Sequence, residues 1–250
     1  MIIDLSKINF GGGGGSNIKV QDVKVVTQNV DSSDSYDFQP DEGYDAMKAV
    51  KANLTIPSTP VQTVDLDTGI KFSQSLFATL PFQIKGGSGL TTFDNLFYLC
   101  KNLTAIDLSE IDTSNALVMN YMFASCYKLT SIDLSNLNTE KVTNLANMFQ
   151  YSNGLIDLDL SHFNTTNVTI MSQMFYGCSK LATLDISYFD MTKTTNYSNM
   201  FKNCNSLTTV KVINCDESTK NKILTQLQTD LSSYTWTLGD DGIIRRSETT

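Results

Sequence analysis

The chain holds one histidine, one tryptophan and 4 prolines in 250 residues. No stretch of it approaches the ~20 apolar residues that a membrane-spanning helix needs, so no membrane insertion is expected. With His162 as the only imidazole, and no Ser, Cys or carboxylate at a telling spacing from it, a nucleophile–base triad has nothing to build on. His162 is read as a surface residue. Positive charge is also scarce: 18 Lys and Arg stand against 26 Asp and Glu, a formal net charge of -8. That balance argues against a grip on nucleic-acid phosphates or anionic lipid, either of which needs clustered cations. The first ten residues lack the basic region and apolar run of a signal peptide, so no export signal is expected. The Gly11 to Gly15 run lacks the Gly-Lys-Ser/Thr ending of a phosphate loop and reads as a linker.

What the chain does have is an internal period. Phe97, Phe123, Phe149, Phe175 and Phe201 follow one another at intervals of about 26 residues, each preceded by Met or Leu. Counting each Phe as offset zero, apolar residues recur at offset 6 (Leu103, Leu129, Leu155, Leu181, Leu207), offset 9 (Ile106, Ile132, Leu158, Leu184, Val210) and offset 11 (Leu108, Leu134, Leu160, Ile186, Val212). Offsets 9 and 11 flank polar positions, the period of a short strand with one buried face. Offsets 19, 22, 25 and 26, such as Val168, Met171, Met174 and Phe175, have the spacing of one helix face. Thr113, Thr139 and Thr165, each after Asp or Asn, are placed to cap that helix; the fourth repeat has Met191 instead, with Thr192 beside it.

Such units cannot bury their apolar faces alone and must stack. The expectation is an α/β repeat, a solenoid of about 26-residue repeats with one strand and one helix each, in which Phe123, Phe149 and Phe175 are neighbours. Residues 1–16 read as an arm and Gly-rich linker. Residues 17–60 read as a small β module, with strands around Ile18–Val26 and from Ala49 to Ile56 about a turn at Pro40–Gly43. Residues 61–96 read as a degenerate capping repeat, back-projection placing Phe77, Leu80 and Phe82 in core columns. The repeats proper occupy 97–215. In 216–250, Ile223, Leu227 and Leu231 have helical spacing and the segments around Trp236 and Ile243 read as a hairpin, together a C-terminal cap.

The unit Leu129-Thr-Ser-Ile-Asp-Leu-Ser135, Asn138-Thr-Glu-Lys-Val142, Met148-Phe149 resembles the BspA-like leucine-rich repeat, over about four and a half copies. That resemblance implies a leucine-rich-repeat solenoid used for adhesion or protein recognition on bacterial surfaces and in phage structural proteins, without catalytic residues. The segment Val25–Val30 with Phe38–Val50 resembles small modules that recur in phage tail and other virion proteins.

Three sets of residues are candidates for function. Cys100, Cys126, Cys178 and Cys204 share offset 3 with Ser152, and a buried packing column is favoured over metal binding or disulfides because Ser is accepted there. Asp107, Asp133, Asp159 and Asp185 form an outward column at offset 10, beside Ser109, Ser135, Ser161 and Ser187. Like charges at adjacent-strand spacing repel, so this column needs solvation, donors from the turns or a cation; with the serines it is the candidate partner-binding stripe. Ile2, Ile3, Leu5, Ile8 and Phe10 are apolar enough to be buried by a neighbouring subunit, a candidate assembly anchor. No cofactor, metal or enzymatic activity is expected. The expected function is that of a phage virion structural protein (tail, fibre or capsid-associated) docked to other virion proteins through its arm and displaying its repeats to a host-surface protein or glycan. The alternative is a bacterial cell-surface adhesin, and homo-oligomerisation stays open.

Overall fold

The computed structural model describes residues 3–4, 24–25, 63–68, 72–73, 75, 78, 80 and 83–248. Of the arm and the 17–60 module, only strands β1 (Ile3–Asp4) and β2 (Lys24–Val25) lie within these, paired antiparallel with Ile3 opposite Val25. The anchor residues Ile2, Leu5, Ile8 and Phe10 fall outside the described residues, as do Phe77 and Phe82.

Equal-offset residues do share columns. Phe72, Phe97, Phe123, Phe149, Phe175 and Phe201 form one file of rings, with centroids 5.5, 5.5, 5.6, 6.0 and 5.9 Å apart and planes within 13° of parallel. Offset parallel stacking suits the ring quadrupole, and the separation is a little over the strand spacing that backbone pairing imposes. Around this file Leu129, Leu155, Leu181, Met122, Met148 and Met174 are fully buried. Phe72 enters the file one residue later than back-projection places it, so the first repeat is a residue short. Leu66 and Ile84 close the core beneath it, with Leu80 packed partly buried against it.

The expected α/β solenoid, with a helix in every repeat, is not what forms. Among the described residues there is a single α-helix, outside the repeats, and the strands fall into three separate sheets rather than one continuous one. The cause lies in the segments around each Met-Phe pair. Asn95, Tyr121, Asn147, Gln173 and Asn199 are left-handed, and four residues on so are Leu99, Ser125, Tyr151, Gly177 and Asn203. A left-handed residue every four positions breaks the run of right-handed dihedrals an α-helix requires.

The N–H groups instead alternate in direction. Asn147, Phe149 and Tyr151 donate to Ser172, Met174 and Tyr176 of the next coil (3.0, 2.9 and 2.7 Å). Met148, Gln150 and Ser152 donate three residues back within their own coil (3.3, 3.0 and 3.0 Å). The three-residue turns also bring residues three apart to one side, which is why the apolar spacing imitates a helix. Parallel bridges from Thr92 through Val118, Asn144 and Ile170 to Asn196 continue the coil-to-coil pairing.

The threonines expected as helix caps are stitches between coils. The Thr139 hydroxyl donates to the Asn164 carbonyl (3.1 Å) and accepts from the Asn164 N–H (2.8 Å), and Thr113 and Thr165 repeat this with Asn138 and Asp190. All three are nearly inaccessible to solvent. The Asp or Asn before each accepts from the N–H two residues on, a local turn.

Strands β3 (Thr63–Asp65), β4 (Gln83–Gly86) and β5 (Glu110–Ile111) form a parallel sheet, Lys85 lying opposite Glu110. A second sheet holds β6 (Asp157–Asp159), β7 (Thr183–Asp185) and β8 (Thr209–Lys211), all parallel. Residues 131–134 of the intervening coil form no strand, and there the Asn136 amide donates to the Leu108, Ser109 and Ile111 carbonyls instead.

The stack ends on α1 (Glu217–Asp230), started by Asp216, whose carboxylate accepts from the Thr219 N–H. Side chains of α1 stand in for a further coil. The Thr219 hydroxyl accepts from the Met191 N–H (2.9 Å), the Asp230 carboxylate accepts from the Phe201 N–H (2.9 Å), and the Lys222 ammonium donates to the Met191 and Thr194 carbonyls. Thr219 thus supplies an acceptor to the Met191 N–H, while Thr192 bonds within its own turn, to Asp190. The hairpin β9 (Tyr234–Leu238) and β10 (Ile243–Glu248) then adds antiparallel to β8 and covers that sheet edge. Because Phe149 touches rings on both sides, Phe149→Ala is expected to destabilise the stack by about 3–5 kcal/mol, read from chemical denaturation, with Phe149→Leu costing less.

Candidate functional site

The aspartate column forms as a row of local turns. One oxygen of Asp107, Asp133 and Asp159 accepts the N–H of Ser109, Ser135 and Ser161 (3.0, 2.9 and 2.9 Å). Asp185 accepts both the N–H (3.1 Å) and the hydroxyl (2.6 Å) of Ser187. Asp159 and Asp185 are direct partners across β6 and β7, and Lys211 ends the row with an ion pair to Asp185 at 3.2 Å. The serine hydroxyls, then the serine N–H groups, hold the Asp107, Asp133 and Asp159 carboxyls below their ordinary value. The repulsion of stacked carboxylates is therefore offset locally, by donors within each turn, with Asp107, Asp133 and Asp159 exposed and Asp185 half-buried. Of the predicted stripe, Ser187 departs: it is buried. Beside the row, Ser109 to Ser114 with Asn136 and Asn138 line an open concavity of about 360 Å³.

Residues 91–214 match the family described as Mycoplasma protein of unknown function, DUF285. The matched span is just under half of the 250 residues, covers the Phe97 to Phe201 coils, and stops short of α1. No curated protein and no solved structure matches the chain.

Within the matched span the cysteine column has a defined bonding role. The Cys126, Cys178 and Cys204 thiols donate to the carbonyls of Phe97, Phe149 and Phe175 (3.3, 3.0 and 2.9 Å), and the Cys100 thiol to that of Phe72 (3.0 Å). Ser152 places a hydroxyl at the same point, 2.6 Å from the Phe123 carbonyl. Each group donates to a carbonyl of the Phe file in the coil before, where the Phe72, Phe97, Phe149 and Phe175 carbonyls also accept an N–H of their own coil, so the column adds a second, inter-coil donor. All five cysteines are free and buried, and desolvation pushes the Cys100 and Cys204 thiols up to about 12 and Cys215 up to about 11. Among the described residues no group of three or more His, Cys, Asp or Glu side chains could hold a metal ion. His162 is exposed, its Nε2 2.8 Å from the Leu134 carbonyl oxygen and its ring edge-on to Phe163.

Periodicity overlooks one feature of the surface. Tyr127, Tyr151 and Tyr176 sit at offsets 4, 2 and 1, in no common column, yet the coils bring them together. The Tyr151 and Tyr176 rings meet edge to face at 5.2 Å, and Tyr127 and Tyr151 remain 39% and 40% exposed. A readable signal does exist: residues 120–128, 146–154, 172–180 and 198–206 contain no Asp or Glu, in a chain with 26 of them.

Two outcomes follow. Native thiols should stay inert to an aromatic disulfide reagent near neutral pH; Cys178→Ser should cost within about 1 kcal/mol, whereas Cys178→Val, which removes one of the two donors on the Phe149 carbonyl and leaves the Ser152 N–H in place, should cost about 0.5–1.5 kcal/mol. Because the folded-state pKa values of Asp107, Asp133 and Asp159 lie below the unfolded ones, their contribution to stability is present above the ordinary carboxylate value and is lost as pH falls through the folded values. Carboxyl titration by NMR should show Ser135→Ala raising the Asp133 pKa while Asp107 is unmoved.

Proposed function

We propose that this chain is a virion structural protein of a phage, in the tail, a fibre or a capsid-associated position, that displays its repeat stack for recognition of a protein or glycan on the host surface. The observation that carries the reading is how the stack uses its polar side chains. Cys, Ser, Thr and Asp at the repeated positions are spent on bonds between or within coils, which leaves a rigid body whose outward rows are surface rather than chemistry. The virion assignment is supported by the resemblance of Val25–Val30 and Phe38–Val50 to virion modules. The apolar residues Ile2, Ile3, Leu5, Ile8 and Phe10 ahead of a Gly-rich linker add to it, as an arm able to pair with a neighbouring subunit. The second reading is a bacterial cell-surface adhesin, supported by the resemblance of the repeat unit to the BspA-like leucine-rich repeat.

Deleting residues 1–15 should leave the thermal transition of the repeat stack in place and abolish incorporation into phage particles, followed by immunogold electron microscopy. Normal incorporation of the shortened chain would refute the docking role of the arm. Labelling of bacterial envelopes in place of particles would favour the adhesin.

A further inference from the structure

The tyrosine edge is built more carefully than an accidental cluster. Tyr151 rests on the backbone of Gly177, where an added Cβ would come within 2.6 Å of the ring, and Gly177 has a φ of +74. Every other residue equivalent to Gly177, from Leu99 to Asn203, carries a side chain, so the bare backbone occurs under this ring alone. Below the platform, the Asn153 side-chain amide lies against the carbonyls of both Tyr151 and Gly177, which accept from it in the orientation that places its nitrogen toward them. Beside it the Gln150 amide donates to the Gln173 side-chain oxygen at 2.7 Å. The neighbouring Tyr176 side chain, then desolvation, raise the pKa of the Tyr151 phenol above its ordinary value. The only charged residues in the acid-free segments around these rings are Lys128, Lys180 and Lys202.

We propose that this edge binds a glycan chain, with Tyr151 and its neighbours Tyr127 and Tyr176 as the platform for pyranose faces and Gln150 and Gln173 as partners for ring hydroxyls. The proposal rests on the recognition role given above and names the class of ligand. Sugar rings present polarised C–H groups on one face and hydroxyls at the rim. A half-exposed aromatic face offers its negative quadrupole to the first, and neutral amides pair with the second without charge desolvation.

The test is titration of the full chain with chitohexaose, cellohexaose and maltohexaose by calorimetry and by NMR of the tyrosine rings. At least one should bind and shift the ring signals of Tyr151 and Tyr176. Tyr151→Ala should weaken binding at least about tenfold, the scale of one aromatic stacking contact, and Tyr151→Phe should keep most of it. Gly177→Ala retains every aromatic group but drives a Cβ into the ring, and should weaken binding too. Tyr188→Ala, which removes a 60% exposed ring outside the acid-free segments, should change nothing. Thermal unfolding of each variant establishes that it is folded, and Tyr176→Ala replaces any that is not.

Failure of all three hexasaccharides to bind overturns the proposal, as does binding that survives both Tyr151→Ala and Gly177→Ala. Loss of binding in Tyr188→Ala alone also overturns it, by moving recognition away from this edge. Incorporation into particles without glycan binding leaves the structural role standing and refutes only the glycan.

Discussion

The constraint on which the rest of this structure depends is the supply of partners for backbone N–H groups in the turns around each Phe. Alternate groups point out of their own coil, so each coil must be followed by something that offers carbonyls or side-chain oxygens at the matching places. In the repeats that something is the next coil, which holds the residue interval near 26 and brings the Phe rings into one file. At the end of the stack it is α1, whose Thr219, Lys222 and Asp230 stand where backbone groups would have been. Desolvation by its surroundings raises the Asp230 pKa even as the Phe201 N–H favours its charged form, a mark of how deeply the last coil is covered.

The same requirement explains the columns. A carbonyl of the Phe file lies against the next coil and takes a second donor small enough to fit, a Cys thiol in four coils and the Ser152 hydroxyl in one. The Thr column stitches adjacent coils by giving and accepting one hydrogen bond each. The Asp column serves its own turns. The thiols are thereby buried in the architecture, and one oxygen of each of Asp107, Asp133 and Asp159 serves its own turn while the residue stays exposed. What breaks the repeat is the tyrosines gathered from different offsets, and the acid-free segments that carry them.

The register of the repeat, the Phe file and the burial of the Cys column were legible in the sequence, since each follows from counting residues, whereas for the Asp column counting left solvation, turn donors and a cation all open. The conformation of the repeat was not. Apolar spacing at offsets 19, 22, 25 and 26 is common to a helix and to a series of three-residue turns, and only the recurrent Asn at 95, 147 and 199, a residue tolerant of left-handed geometry, hinted at the second. The threonines could be recognised as capping groups, but not that they would cap a neighbouring coil.

The sequence by itself determined which residues share a column, because identical coils in register leave no other arrangement for a repeated interval. Only the tertiary structure decided where each N–H would point, and therefore that turns would replace helices and the strands would split into separate sheets. The same holds for the tyrosine edge, since side chains at unequal offsets meet only once the path of the coil is known. Local spacing records what must be buried, whereas hydrogen-bond direction is settled by the competition between a coil's own carbonyls and those of its neighbour.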